Sequence, residues 1–94
     1  MIIQLVENTV KPGKKEEYIK NAKEFCKANK ENVDGCLEAY VLTDSEKEDS
    51  VYIVNVWESQ ERMDSEKAGG IFLKHKPSLK PYFVKNETTL LELV

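Results

Sequence analysis

The alternation of apolar and polar positions along the chain predicts strands and helices in a definite order. Residues 2–10 are rich in β-branched side chains and stop at Pro12–Gly13, which predicts a strand followed by a turn. From residue 14 to 31 apolar positions recur at helical spacing, with lysine and glutamate between them. Two more strands are expected at 36–43 and 51–58, and the polar run 44–50 is expected to be the loop that joins them as a hairpin.

The second half of the chain predicts another helical region and a closing strand. Ser59 is placed to cap a helix that starts in an acidic first turn. We expect this helix to be interrupted at Gly69–Gly70 and to end before Pro77 or Pro81, because proline cannot continue the backbone ladder. Residues 71–84 are then expected to form short helical turns, and residues 87–94 a last strand.

The resulting order is β-α-β-β-α-β, carried by a single domain of residues 1–94. It is typical of an α+β, ferredoxin-like fold, in which both helices pack on one face of an antiparallel sheet.

The strands carry more apolar side chains than two helices can cover. On the first strand Ile3 and Leu5 alternate with Ile2 and Val6, so both faces are apolar. The second and last strands share this property, with Leu37 and Val41 opposed to Tyr40 and Leu42, and Leu91 and Leu93 to Leu90 and Val94. Large exposed apolar patches mark association surfaces. We therefore expect a homodimer in which two sheets pack face to face, a dimeric α/β barrel.

Composition narrows the classes of partner. The chain of 94 residues has a formal net charge of −3 and a pI near 5.2, which argues against a nucleic-acid partner. Its first residues contain neither a basic leader nor a long apolar run, so we expect no membrane partner and a cytoplasmic location. Cys26 and Cys36 form no CxxC motif and are expected to be reduced, packed thiols.

Few residues of the chain could carry chemistry. His75 is the single histidine, and with two distant cysteines it cannot complete a zinc site, so no metal site is expected. No GxSxG, GxGxxG or GxxxxGK[ST] stretch is present, which leaves hydrolases and nucleotide-binding enzymes without support. On the third strand Asn55 and Trp57 share one face with Val51 and Ile53. Asn55 is either a structural link or a substrate ligand, and Trp57 is either core or a pocket wall.

The segment 55–63, Asn-Val-Trp-Glu-Ser-Gln-Glu-Arg-Met, followed by Phe72 and Pro81, resembles the antibiotic biosynthesis monooxygenase family. The turn 11–14, Lys-Pro-Gly-Lys, and the order of elements share the resemblance. It implies a homodimer that oxidises a quinol or polyphenolic aromatic substrate with O2 as co-substrate, without a metal, flavin or heme. An apolar pocket with a few polar groups suffices for such chemistry.

The resemblance also implies roles for particular residues. Asn55 would orient a substrate oxygen and Trp57 would stack on the substrate or donate its indole proton. Many relatives have a histidine where this chain has Glu66, so Glu66 is a candidate proton acceptor and His75 a candidate catalytic residue in its place. Further candidates for substrate binding are Asn8, Phe72 and Tyr82, with Phe83 beside it.

Three alternatives remain open. The first is a non-catalytic dimeric ligand-binding or stress-related module with the same fold, and the second is a heme-degrading or signal-molecule-processing relative. For the heme alternative, Asn8 resembles a pocket asparagine, but Glu66 and Lys76 lie near the positions of the tryptophan and ligand histidine of that subgroup. The third is an RNA-binding module with the same element order, which the acidic charge and the lack of a basic-aromatic strand motif disfavour.

Overall fold

A computed structural model describes residues 1–94 of the chain. Four strands form one sheet with helices on one face, which confirms the predicted ferredoxin-like α+β fold. A 3-10 turn precedes the last strand. None of the helices has the length and apolar composition needed to cross a membrane. In chain order the elements are β1 (Ile2–Val10), α1 (Lys15–Asn32), β2 (Cys36–Asp44), β3 (Lys47–Trp57), α2 (Gln60–Met63), α3 (Glu66–Leu79) and β4 (Phe83–Glu92).

The sheet has the order β2-β3-β1-β4, and all neighbouring strands are antiparallel. The register of β1 and β3 places Gln4 opposite Asn55 and Ile2 opposite Trp57. A bulge between Cys36 and Glu38 changes the alternation of β2. Because of it, Cys36 rather than the predicted Leu37 shares the helix-covered face with Val41, and Leu37 is exposed.

Helix α1 covers the β2–β3 half of the sheet. Its buried positions follow helical spacing, and acidic residues in its first turn suit the helix dipole. The main core lies between α1 and the strands, around Tyr18, Ala22, Phe25, Val51 and Ile53. A smaller cluster of buried residues surrounds Trp57 at the end of β3. Both predicted free thiols, Cys26 and Cys36, are reduced and buried.

The hairpin between β2 and β3 is tighter than predicted. The expected loop 44–50 is wrong, because β3 already begins at Lys47 and Asp44 pairs with it across a short turn. The Asp44 carboxylate accepts a hydrogen bond from the Glu46 backbone N–H at 2.9 Å, which closes the turn locally. Residues 47–50, the first four of β3, are polar, which suits their position at the solvent-exposed end of the strand.

The second helical region also differs from the prediction. The break lies at Asp64–Ser65, where the Ser65 hydroxyl accepts a hydrogen bond from the Ala68 N–H at 3.2 Å and starts α3. Helix α3 then runs through Gly69–Gly70, and Pro77 lies inside it. The expected interruption at the glycines and the expected end before Pro77 are therefore wrong. Because proline has no backbone N–H, Pro77 leaves the carbonyl of Leu73 without its helical hydrogen bond. Both residues are exposed, so water can hydrogen-bond to that carbonyl.

Helix α3 contacts the core through Ala68, Ile71 and Leu79, and it leaves a gap over the β1–β4 half of the sheet. Ala68 is buried near Trp57 and Leu79 is buried in the main core, whereas Phe72 between them is 47% exposed. The helix packs mainly on α1. As a result the β1–β4 half of the sheet lacks a continuous helical cover, and nearly all of β4 is exposed.

The opposite face of the sheet has no helix on it. We call it the open face; at one end it presents a contiguous set of apolar side chains from all four strands, namely Ile3, Leu5, Tyr40, Leu42, Val54, Val56 and Leu91. At the other end Glu7 accepts a hydrogen bond from the Ser50 hydroxyl at 2.9 Å and pairs with Lys47 at 3.4 Å. These contacts hold the pKa of the Glu7 carboxyl below its usual value, chiefly through Ser50.

Candidate active site

The gap between α3 and the β1–β4 half of the sheet forms a cleft of two adjoining cavities, of about 330 Å³ and 360 Å³. They share walls from β1, α1, β3, α3 and β4. The first cavity, which we call the lysine end, includes Lys76 and Lys80 together with Leu79 and Phe83. The second, which we call the tryptophan end, includes Trp57 and Asn29.

Aromatic side chains form much of the cleft wall. Phe25 and Phe72 line both cavities, and their rings meet edge to face with centroids 6.1 Å apart. Tyr18 and Phe83 meet in the same manner at the lysine end, again at 6.1 Å. Such walls suit the flat, apolar faces of an aromatic ligand.

A chain of side-chain amides crosses the sheet side of the cleft. The Trp57 indole N–H and the Asn55 amide both donate to the Gln4 Oε1, at 3.0 Å and 3.2 Å. The Asn29 amide in turn donates to the Asn55 Oδ1 at 3.4 Å. Gln4 is half-buried and the other members are almost fully buried, so these hydrogen bonds offset the cost of taking polar groups out of water.

Local sequence explains why these residues meet. Asn55 and Trp57 are two apart on β3, and the antiparallel register brings Gln4 of β1 opposite Asn55. Asn29 lies on the buried stripe of α1, at helical spacing from Ala22, Phe25 and Cys26.

The structure places three further predicted residues at the cleft in different ways. Asn8 lines the lysine end, but its amide donates hydrogen bonds to the Val6 and Val51 carbonyls at 3.3 Å each. Its N–H groups therefore bind backbone atoms of the sheet. Phe72 lines both cavities, and Phe83 lines the lysine end.

Three predicted residues lie outside the cleft. His75 packs against the Phe25 ring, with centroids 5.7 Å apart, between α1 and α3. Glu66 is exposed in the first turn of α3, and Tyr82 packs against the main core. None of the three lines either cavity. The expectations that Glu66 accepts a proton and that His75 is catalytic therefore have no geometric support within one protomer.

Sequence reasoning missed the role of Gln4, Asn29 and Lys80 in this cleft. The signals were present in part, because Gln4 and Asn29 are polar residues at positions whose periodicity is otherwise apolar. Lys80 follows a helix end that was not predicted at its true position.

The charges of the cleft have one sign. Lys76 and Lys80 are the charged side chains that line it, and no carboxylate or histidine does. Burial raises the pKa of the Tyr18 phenol, so its hydroxyl stays protonated in the physiological range. The cleft thus combines neutral hydrogen-bonding groups with two cations, an arrangement that favours a neutral or anionic ligand.

No group of three or more histidine, cysteine, aspartate or glutamate side chains converges in a manner that could hold a metal ion. The hydrogen-bonding groups of the cleft are amides, an indole, a phenol, the Thr88 hydroxyl and lysine ammonium groups. They can bind and orient a ligand and stabilise negative charge on it.

Comparison with solved structures gives full-length neighbours at low sequence identity. Three of them are described as a "putative antibiotic biosynthesis monooxygenase". The one from Nitrosomonas europaea has a TM-score of 0.86 at 10% identity and covers 100% of this chain and 99% of its own. The one from Bordetella bronchiseptica has a TM-score of 0.86 at 14% identity, covering 99% and 96%. The one from Caulobacter crescentus has a TM-score of 0.82 at 17% identity, covering 99% and 89%. At these identities the likeness shows the fold.

A search of curated proteins finds no match. The sequence model of the antibiotic biosynthesis monooxygenase family, however, matches residues 1–75, which include β1, α1, β2, β3, α2 and most of α3. This match covers well over half of the 94 residues and all of the amide chain described above. The chain therefore belongs to the antibiotic biosynthesis monooxygenase family.

Proposed function

We propose that the cleft binds a quinol or related polyphenolic aromatic molecule and oxidises it with O2, without a metal, flavin or heme. The observation that carries the proposal is the aromatic-walled cleft whose polar groups are a buried amide chain and two lysines. Its cavities of about 330 Å³ and 360 Å³ lie in the size range of small-molecule sites.

In the proposed reaction the protein binds the substrate and stabilises negative charge on it. An electron-rich phenolate can transfer an electron to O2 itself, so the protein must favour the deprotonated substrate and hold it beside O2. Lys76 and Lys80 give the cleft a positive potential, which lowers the pKa of a bound phenol. In the overall reaction a hydroquinone and O2 give a hydroxyquinone and water. The substrate supplies all four electrons, one oxygen atom enters the ring, and the other leaves as water.

Asn55 and Trp57 have separate tasks in this proposal. Trp57 forms part of the wall at the tryptophan end and anchors Gln4 through its indole N–H. Asn55 lines both cavities and holds the same Gln4 oxygen, so it fixes the polar edge against which a substrate oxygen would lie.

We also propose that the protein acts as a homodimer formed through the open face. The apolar end of this face exposes side chains such as Tyr40 and Leu42, each 48% exposed, and Leu91, 46% exposed. Contiguous exposed apolar patches are typical of association surfaces, and this one extends over four strands. A second copy presents the same patch, as a two-fold interface requires.

Oxygen consumption tests the proposed activity. Metal-stripped protein is mixed with a panel of quinols and polyphenols, and the spontaneous oxidation rate is subtracted. We expect protein-dependent O2 uptake that Asn55→Ala lowers by about tenfold or more, since the variant removes the two hydrogen bonds that Asn55 makes with Gln4 and Asn29, and leaving a buried partner unsatisfied costs about 1–3 kcal/mol. Asn32→Ala is the matched control, because Asn32 is an exposed asparagine at the end of α1, outside the cleft.

Two results would contradict the proposal. Binding of aromatics without O2 uptake would favour the non-catalytic binding module. Uptake that appears only after addition of hemin would favour the heme-dependent alternative.

A further inference from the structure

Trp57 fixes the direction of the hydrogen bonds that link it to Gln4, Asn55 and Asn29, the amide chain of the cleft. An indole N–H can only donate, so the Gln4 atom that faces Trp57 at 3.0 Å must be the oxygen. That oxygen lies 3.2 Å from the Asn55 amide nitrogen. Rotation of the Asn55 amide would bring two oxygens together, so Asn55 is also fixed, with its Oδ1 directed to Asn29.

The direction leaves one acceptor without a donor. Since the Asn55 Oδ1 needs a donor, Asn29 must present its nitrogen to it, which leaves the Asn29 Oδ1 as the free end. This oxygen is the one buried side-chain polar atom of the protein that has no hydrogen-bond partner. Asn29 is 2% exposed and lines the tryptophan end of the cleft, so bulk water does not compensate it.

We propose that the Asn29 side chain shifts toward the cleft when an aromatic molecule binds, so that its Oδ1 accepts a hydrogen bond from a hydroxyl group of that molecule and thereby selects hydroxylated ligands. The inference rests on the proposed function, since it takes the cleft to be an aromatic-binding site. A hydroxyl hydrogen satisfies the orphaned oxygen, whereas a methyl ether or an unsubstituted ring leaves it unpaired and desolvated. Asn29 is a specificity-determining residue in this account.

Binding of a matched pair of oxidation-resistant probes tests the inference. The probes are 2-naphthol and 2-methoxynaphthalene, which differ in the ability to donate a hydrogen bond. Isothermal titration should give an affinity for 2-naphthol that is about tenfold higher than for the ether. Asn29→Leu removes the acceptor but also leaves the Asn55 Oδ1 without its donor, so it is combined with Asn55→Leu; this double variant removes both oxygens and should abolish the preference. Asn32→Ala, on the same helix, should retain it.

A second readout does not depend on the variant. In a nitrogen–proton correlation spectrum, 2-naphthol should shift the side-chain amide signal of Asn29, and the ether should leave it nearly in place. A residue that merely ties α1 to β3 would respond equally to both probes.

The possible failures are separable. If wild-type protein binds both probes with equal affinity, the role of Asn29 is refuted and aromatic binding stands. If the double variant Asn29→Leu/Asn55→Leu retains the preference for 2-naphthol, the hydroxyl is recognised elsewhere and the role of Asn29 is again refuted. If neither probe binds, both this inference and the proposed aromatic-binding function are refuted.

Discussion

Replacement of Trp57 by phenylalanine examines the amide chain and the core beneath it together. Trp57 is 2% exposed, and its indole N–H donates to Gln4 Oε1 at 3.0 Å. Phenylalanine retains an aromatic ring but removes this hydrogen bond and part of the ring volume. Gln4 Oε1 keeps its hydrogen bond from Asn55, so no orphaned acceptor is created there.

The cost of Trp57→Phe has two parts. The lost hydrogen bond contributes about 1 kcal/mol. The lost ring atoms contribute about 1–2 kcal/mol more, because the small cluster around Trp57 is closed by Val33, Cys36 and Ala68 and can collapse only partly. A decrease of about 2–3 kcal/mol in the free energy of unfolding follows, which a domain with a stability of about 5–15 kcal/mol survives.

Urea denaturation followed by far-ultraviolet circular dichroism measures this decrease. Fluorescence is unsuitable, because Trp57 is the single tryptophan of the chain. In a Gln4→Met background, Trp57→Phe should lower the free energy of unfolding by less than it does in the wild type. The difference, which is the coupling energy between the two sites, should be about 0.5 kcal/mol or more. A loss below about 0.5 kcal/mol for Trp57→Phe, or strict additivity with Gln4→Met, would show that the hydrogen bond between Trp57 and Gln4 does not stabilise the fold as expected.

Further predictions concern other parts of the molecule. Val54→Lys, in the apolar end of the open face, should convert the dimer to monomers in sedimentation velocity. Leu73→Lys, on the exposed side of α3, is the control and should leave the dimer intact. A monomeric wild type would refute the proposed interface. Gly13→Ala should lower the free energy of unfolding by about 1 kcal/mol because of its positive φ of 76°. Gly35→Ala should lower it more, since a Cβ there would overlap both the Cβ and the Cγ of Arg62; an Arg62→Gly background, which lacks both atoms, should remove that excess in thermal melts. Burial raises the pKa of the Cys26 thiol to about 12, so the unfolded chain loses this proton near pH 9 while the folded chain keeps it. The free energy of unfolding should therefore fall between about pH 9 and 12. Equal free energies of unfolding at pH 8 and pH 11 would contradict this.

The order of elements followed from the sequence because periodicity is a local property. The positions of β1 and α1 agree with the prediction to within one residue at each end. The start of β3 was missed, since residues 47–50 are polar and become a strand through pairing with β1 and β2, which is a tertiary effect. Pro77 was given too much weight, because an exposed helix surface tolerates a proline at a cost of about 3 kcal/mol.

The candidate site was predictable only in part. Period two placed Asn55 and Trp57 on one face of β3, and the structure brings both to the cleft. Their link to Gln4 depends on the register of β1 against β3, which no local pattern reveals. Asn29 required knowledge of which turn of α1 meets the end of β3. The gap under α3 depends on how the helix is anchored through Ala68, Ile71 and Leu79, and this is a property of packing rather than of composition.

The proposed reaction inserts one oxygen atom from O2 into an aromatic substrate without a resident cofactor. Mass spectrometry of the product formed by metal-stripped protein under heavy-isotope O2, with a quinol selected from the uptake panel, tests it most directly. We expect one labelled oxygen atom per product molecule, with the second label in water, and we expect Asn55→Ala to slow formation of the product. A product that carries no label above the protein-free reaction would contradict it.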